Sequence, residues 1–136
     1  MLEEQLKTRM FLNKAGAFSI KKGTKEIYDT FEYCANLFNN PDNLLVMYPQ
    51  GGFQSVHSFP VTFNRGVIKI TEKIDQDFQL IFLAVLTDFF AHKKPSVNFF
   101  LQEYNLKYKH SIEQLEQAYN DFLKESILAQ NENIFN

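Results

Sequence analysis

Residues 44–66, with the sequence LLVMYPQGGFQSVHSFPVTFNRG, constrain the fold more than any other part of this chain. Five apolar residues, 44–48, open the stretch, and their length and composition are typical of a fully buried strand. Pro49 ends such a strand because it has no N–H to donate to a neighbouring strand. Gly51 and Gly52 then allow positive φ angles and let another group approach the backbone closely.

The loop after these glycines is about ten residues long, more than most connections in a compact domain, and it leads into a helical pattern. A strand, a glycine turn, a long loop and a helix start can hold an anion against backbone N–H groups. A plain connection between a strand and a helix has the same spacing. Both interpretations stay open on spacing alone.

The rest of the chain alternates between helical and extended patterns. Apolar residues recur every three or four positions at residues 2–13, 25–39, 65–75 and after Ser111, which predicts helices there, the last capped by Ser111. Shorter apolar runs predict strands at residues 17–20, 44–48, 78–87 and 97–102. This order predicts an α/β fold with a mostly parallel sheet flanked by helices. No interior linker is visible, so we expect one domain over residues 1–130 and a polar tail at 131–136.

Composition narrows the function classes. The formal net charge of −2 gives no electrostatic reason to expect a nucleic-acid partner. Cys34 is the single cysteine, so no thiolate metal cluster can form within the chain, and its helical neighbours predict a small buried apolar side chain. No metal site and no tightly bound cofactor is predicted. No signal peptide or transmembrane run is present, since no apolar run approaches about 18 residues.

The histidines offer no evident general base. His57, His92 and His110 are scattered singly, and the residues five positions after them are Thr62, Val97 and Leu115, none of them acidic. No nucleophile motif of the form Gly-x-Ser-x-Gly surrounds Ser55 or Ser58. The sequence therefore predicts a binding loop without catalytic residues.

A lysine pair is the second candidate feature. Lys21 and Lys22 follow the predicted strand at residues 17–20, at the strand end where open parallel sheets bind ligands. The glycine turn also follows a predicted strand. If the two strands are neighbours, Lys22 and the turn meet at one phosphate site. A solvated lysine pair in an ordinary turn is the alternative.

These stretches resemble motifs of the glycerolipid acyltransferases, which move an acyl chain to glycerol phosphate or to a lysophospholipid. GAFSIKK at residues 16–22 is similar to the second motif, Gly-x-x-x-[Ile/Val]-x-Arg. VMYPQGGFQS at residues 46–55 is similar to the third, Phe-Pro-Glu-Gly-Thr-Arg-Ser, and FPVTFNRG at 59–66 to the Pro-Phe-Lys-x-Gly segment after it. The likeness in order and spacing covers about residues 1–128, although the proline usual in the fourth motif is missing near Phe82.

The resemblance implies a role for four residues. Lys22, Gln50, Gly51 and Gly52 would bind the substrate phosphate, and acyl-CoA or acyl carrier protein would be the thioester donor. Lys22 stands where the family has Arg, which keeps the charge but loses bidentate geometry. Gln50 replaces the family's Glu, and Gly52-Phe53 replace Thr-Arg.

The family's first motif, His-x-x-x-x-Asp, supplies the catalytic base and the Asp that orients it, and it is absent here. We therefore expect the C-terminal part of an acyltransferase-like domain, N-terminally truncated and inactive by itself. A non-catalytic lipid-binding or partner-binding module is the alternative. A nucleotide-binding protein is a weaker third choice, because no Gly-x-Gly-x-x-Gly or Walker loop occurs.

Membrane contact is expected at residues 89–94, where Phe89 and Phe90 precede Lys93 and Lys94. Aromatic groups beside cations suit attachment to an anionic membrane surface. An ordinary surface loop is the alternative. We expect a cytoplasmic chain that can attach peripherally to the inner face of the membrane.

Overall fold

The computed structural model of the protein describes residues 14, 16–18, 25–52, 55, 58–89, 93–105 and 111–132. The chain splits into two compact units. The first comprises Met1–Gly51 and Arg65–Asp77, and the second comprises Gly52–Asn64 and Phe78–Asn136. The helix predicted at residues 2–13 lies outside the described residues. Of the strand predicted at 17–20, only Ala17 and Phe18 are described, and they form no strand.

The described residues of the first unit include two α-helices. Helix α1 spans Glu26–Asn36 and continues as a single 3₁₀ turn, Leu37–Asn39, while the short helix α2 spans Gly66–Thr71. Both helices were predicted from apolar periodicity, and both are confirmed. Their apolar sides meet in a small core, which partly buried residues extend. The core consists of Phe31, Cys34 and Ile70, with Phe18, Ile27, Leu45, Met47 and Ile74 packed against it.

The strand predicted at residues 44–48 is wrong. These residues form no strand, and Leu44 and Tyr48 are 83% and 81% exposed. Leu45 and Met47 are half-buried against the core, because alternate side chains of an extended segment point to opposite sides and only one side meets apolar partners. An apolar run alone specifies neither a neighbouring strand nor a second covering layer.

The second unit is a β-hairpin packed on a long helix. Strand β1, Leu80–Asp88, pairs antiparallel with strand β2, Ser96–Tyr104, in a register that runs from Leu80 opposite Tyr104 to Asp88 opposite Ser96. Helix α3 spans Ile112–Glu132. The Gln114 N–H donates to Ser111 Oγ at 3.3 Å, and the Ser111 N–H donates to Gln114 Oε1 at 3.0 Å. This reciprocal capping box confirms the predicted helix start.

Aromatic side chains hold the hairpin against α3. The ring centroid of Phe82 lies 5.4 Å from that of Tyr119 in an edge-on contact and 5.9 Å from that of Phe122. On the hairpin itself, Phe82 stacks on Tyr104 at 4.9 Å. Because Phe82, Leu115 and Phe122 are buried, the core of this unit lies between one sheet face and the helix.

The predicted fold class is therefore wrong for the described residues. They contain a two-stranded antiparallel sheet and three α-helices rather than a mostly parallel sheet flanked by helices. The physical reason lies in the connection between β1 and β2. Parallel strands need a crossover of about a dozen residues or more, whereas residues 89–95 are too few for one.

Candidate functional site

A tight turn stands at the predicted anion-binding segment. The Gly51 N–H donates to the Tyr48 carbonyl oxygen at 3.1 Å, which closes a four-residue turn around Pro49 and Gln50. Proline at the second position and glycine at the fourth are the preferences of the commonest turn type. The sequence predicts a turn at Gln50–Gly52; the observed turn begins two residues earlier, at Tyr48, and the chain before it is not a strand.

The two glycines of this segment differ. Gly51 has a backbone conformation that favours glycine, and Gly52 has open space beside it. Gly51 has φ +67°, in the left-handed region that side-chain-bearing residues rarely adopt. Apart from Gly52 and its two chain neighbours, no heavy atom lies within 4 Å of the position that a Cβ would take at Gly52. Space for a small group is therefore open on that side of the Gly52 backbone.

The remaining member of the predicted phosphate site is Lys22, which lies outside the described residues. The proximity predicted between Lys22 and the Gln50–Gly52 segment therefore remains a prediction. That prediction assumed two neighbouring parallel strands that end at the same sheet edge, and residues 44–48 form no strand. The three histidines also lie outside the described residues.

Residues 61–63, from the segment that resembles the entry into the next helix of the acyltransferases, are held by side chains of α3. Asn120 Oδ1 accepts from the Val61 N–H at 2.8 Å, and Asn120 Nδ2 donates to the Val61 carbonyl at 2.9 Å. Glu116 Oε2 accepts from the Phe63 N–H at 2.6 Å. Sequence reasoning missed this arrangement. Helical spacing gave no signal for it, because Asn120 lies about 140° around α3 from Leu115, away from the side that Leu115 and Phe122 share.

The end of the hairpin carries the predicted membrane-contact residues. Phe89 follows β1 directly and is 59% exposed, and Lys93 and Lys94 are exposed shortly before β2. Phe90 lies outside the described residues. The described part of this connection combines one exposed ring with two cations, as predicted, while membrane contact itself remains a prediction.

One face of the hairpin is apolar and uncovered. In β1 and β2 the side chains that point away from α3 are exposed, with Phe99 at 64% and Leu101 at 65%. We call this surface the outer sheet face; it consists of Ile81, Leu83, Val85, Val97, Phe99 and Leu101. Sequence patterning gave a signal for it, because the whole of β1 is apolar up to Leu86.

A shallow cavity of about 270 Å³ lies between β2 and α3. Its charged lining residues, Asp121 and Glu125, are both acidic, so the cavity repels phosphate and does not suit the predicted substrate. The remaining lining residues are Phe82, Gln102, Tyr104, Ala118 and Phe122.

Among the described residues, burial raises the pKa of two side chains, Cys34 and Tyr119. Cys34 is 1% exposed, and desolvation raises the pKa of its thiol despite an opposing backbone hydrogen bond. A raised pKa keeps the thiol protonated and unreactive near neutral pH, which agrees with the predicted structural role. Burial also raises the pKa of Tyr119, whose hydroxyl donates to the Leu83 carbonyl at 3.3 Å.

The described residues show neither a metal-binding cluster nor a membrane-spanning helix. They contain no group of three His, Cys, Asp or Glu side chains that could hold a metal ion. No helix within the described ranges is long and apolar enough to cross a membrane. The likeness to glycerolipid acyltransferases rests on the quoted motifs: no protein-family model, no curated protein and no solved structure matches this chain.

Proposed function

We propose that this protein binds a glycerol phosphate group, either as free glycerol phosphate or as part of a lysophospholipid, and transfers no acyl group by itself. The observation that carries the proposal is the turn at Tyr48 to Gly51, with its positive-φ glycine and the open backbone at Gly52. Because the Gly51 N–H closes the turn, the donor that we propose for a phosphate oxygen is the backbone N–H of Gly52.

Side chains complete the proposed site. Gln50 is half-buried and carries an amide that can donate to a phosphate oxygen or accept from a glycerol hydroxyl. Lys22 supplies the positive charge that a phosphate requires, in the role that the resemblance gives it. The Gln50 amide cannot remove a proton from the hydroxyl, because an amide does not titrate. Binding without catalysis follows.

The proposal is tested by titrating the protein with glycerol 3-phosphate and following backbone amide signals by NMR. Gly52→Asp places a carboxylate where the ligand oxygen would lie, in space that is open. We expect it to weaken binding at least tenfold. Asn105→Asp adds the same charge at an exposed position of the second unit and serves as the matched control. Gly52→Ala adds a Cβ without charge.

Two results would overturn the proposal. In the first, the wild type shows no saturable shifts at millimolar ligand. In the second, Gly52→Asp and Asn105→Asp bind equally well. Selective loss in Gly52→Asp, with Gly52→Ala close to wild type, supports a phosphate at the turn.

Acyl transfer within a larger assembly is a second candidate function. The observation that favours it is that three acyltransferase-like motifs follow one another at residues 16–66 in the family's order. In that case another polypeptide would supply the His-x-x-x-x-Asp motif, and this chain would hold the acceptor phosphate. The donor would be an acyl thioester, either acyl-CoA or acyl carrier protein.

A further inference from the structure

Strand β1 has an apolar pattern suited to a strand covered on both sides, yet only one side is covered. Phe82 and Ala84 point toward α3 and are buried, whereas Leu83 and Val85 belong to the exposed outer sheet face. Runs that are apolar on both sides are typical of strands inside a layered fold, and alternation is expected where one face meets water. The pattern therefore points to a covering layer on the outer sheet face.

The backbone of the hairpin favours a polypeptide over lipid as that layer. Within the described residues the sheet has two strands, so each has an outer edge without a strand partner. Unpaired backbone N–H and C=O groups cost several kcal/mol each in hydrocarbon, where nothing can hydrogen-bond to them. A protein surface can leave these edges in water while it covers the apolar side chains.

We infer that the outer sheet face binds a second copy of this chain and forms a two-fold symmetric dimer. The centre of the face is self-complementary, since it consists of the cross-strand pairs Leu83 with Leu101 and Val85 with Phe99. Face-to-face packing of two such sheets at about 10 Å interdigitates these side chains. A two-fold interface uses the same patch on both copies and closes after two chains.

The charges select the direction of packing. Glu103 lies at one end of the face, opposite Ile81, and Lys93 and Lys94 lie in the connection at the other end. One possible two-fold axis lies between the two sheets and runs perpendicular to the strands. It reverses the strand direction in the second copy, so that Glu103 of one copy lies over Val97 of the other, near that copy's Lys93 and Lys94. An axis along the strands would instead bring the lysines of both copies together. Opposite charges favour the first arrangement.

The area is sufficient for a weak dimer. A fully exposed large apolar side chain presents about 150–200 Å², and the six residues of the face are between 42% and 65% exposed. Each copy therefore offers roughly 500 Å², and a dimer would bury about 1,000 Å², at the lower limit of specific interfaces. Interfaces at this limit belong to weak, transient complexes, so we expect a dissociation constant in the micromolar range.

The test is sedimentation equilibrium of the whole chain from about 1 to 300 μM, a span that brackets the expected constant. The double variant Phe99→Gln, Leu101→Gln removes the most exposed side chains of the face and should dissociate at least tenfold more readily. The matched control, Tyr28→Gln with Leu128→Gln, removes one aromatic and one leucine that are 64% and 54% exposed elsewhere. The control should dimerise like the wild type. Circular dichroism melts confirm that all three proteins are folded.

Cross-linking tests the direction of packing. In a Cys34→Ser background, Glu103→Cys protein is mixed with Val97→Cys protein and treated with a short bifunctional thiol reagent. The mixture should cross-link at least fivefold faster than either protein alone, since the two sites face each other only between copies.

Each remaining outcome contradicts the inference. If the wild type stays monomeric up to 300 μM, the proposed dimer is refuted. If it forms larger, open-ended assemblies, the closed two-fold interface is refuted. A monomer that floats with neutral phosphatidylcholine vesicles, and loses this property in the Phe99 and Leu101 variant, assigns the face to lipid instead. Loss of phosphate binding in Gly52→Asp leaves this test unaffected, so the two proposals fail separately.

Discussion

At the scale of the residue, the side chain of Asn120 takes the place of a strand partner for Val61. Its amide accepts from the Val61 N–H and donates to the Val61 carbonyl and to the Glu116 carbonyl, the last at 2.9 Å. Both Asn120 and Val61 are buried, so water does not replace these bonds. One polar side chain therefore satisfies a stretch of backbone that no sheet reaches.

We predict that Asn120→Ala lowers the free energy of unfolding by about 2–3 kcal/mol, because it leaves a buried N–H and a buried carbonyl unpaired. The measurement is urea denaturation followed by circular dichroism. Gln117→Ala, one turn earlier on an exposed position of α3, is the control and should change stability by less than about 0.5 kcal/mol. Equal midpoints and slopes for the two variants would show that the Asn120 bonds contribute nothing.

The residue scale also shows what the sequence could not reveal about the candidate site. The turn at Tyr48 to Gly51 was predictable, because Pro and Gly preferences act within four residues. The Asn120 bond to Val61 was not, because it joins residues 59 positions apart and an Asn within a helix is usually solvated. Turns that depend on residues close in sequence can be predicted from a single sequence, whereas the distant hydrogen-bond partners of a side chain depend on the whole fold.

At the scale of the element, the positions of helices and strands were predictable from the sequence, whereas the arrangement of the strands in a sheet was not. The apolar periods located α1, α2 and α3, and the predicted strands at 78–87 and 97–102 lie within two residues of the ends of β1 and β2. The prediction of a mostly parallel sheet was wrong, because it rested on alternation of helices and strands, whereas β1 and β2 follow each other directly and pair antiparallel. The two strands formed a hairpin since their connection is short.

The hairpin end carries a prediction of its own. We expect the protein to float with vesicles that contain about 30% phosphatidylserine, and the variant Phe89→Ser, Lys93→Gln, Lys94→Gln to bind at least tenfold less. Each cation near an anionic surface contributes about 1 kcal/mol, and the exposed ring of Phe89 can enter the interfacial layer.

The control for this experiment removes the same charge elsewhere. Lys69→Gln with Lys73→Gln eliminates two exposed lysines of the first unit and should leave flotation close to that of the wild type. Equal losses in both variants would mean that net charge, rather than the hairpin end, drives binding. If the wild type stays in the bottom fraction, apart from the floating vesicles, the prediction of membrane contact is wrong.

At the scale of the whole molecule, the proposed phosphate site and the proposed membrane contact occur in a sequence that lacks the first acyltransferase motif. The first proposal rests on the turn at Tyr48 to Gly51, and the second rests on the exposed Phe89 beside Lys93 and Lys94. No His-x-x-x-x-Asp occurs anywhere in the 136 residues. A positioned general base contributes roughly 10²- to 10⁴-fold to such reactions, so its absence outweighs whatever substrate positioning the binding groups provide.

We therefore predict that the purified protein, given acyl-CoA or acyl carrier protein thioester and lysophosphatidic acid, releases thiol no faster than a blank. The assay follows free thiol together with formation of the diacyl product, which separates transfer from hydrolysis. Gly52→Asp serves as a matched protein control, since any rate that it shares with the wild type comes from a contaminant rather than from the turn. Turnover that co-purifies with the chain and disappears in His57→Ala would contradict the prediction, because it would reveal a base without the acidic partner five residues later that the family requires.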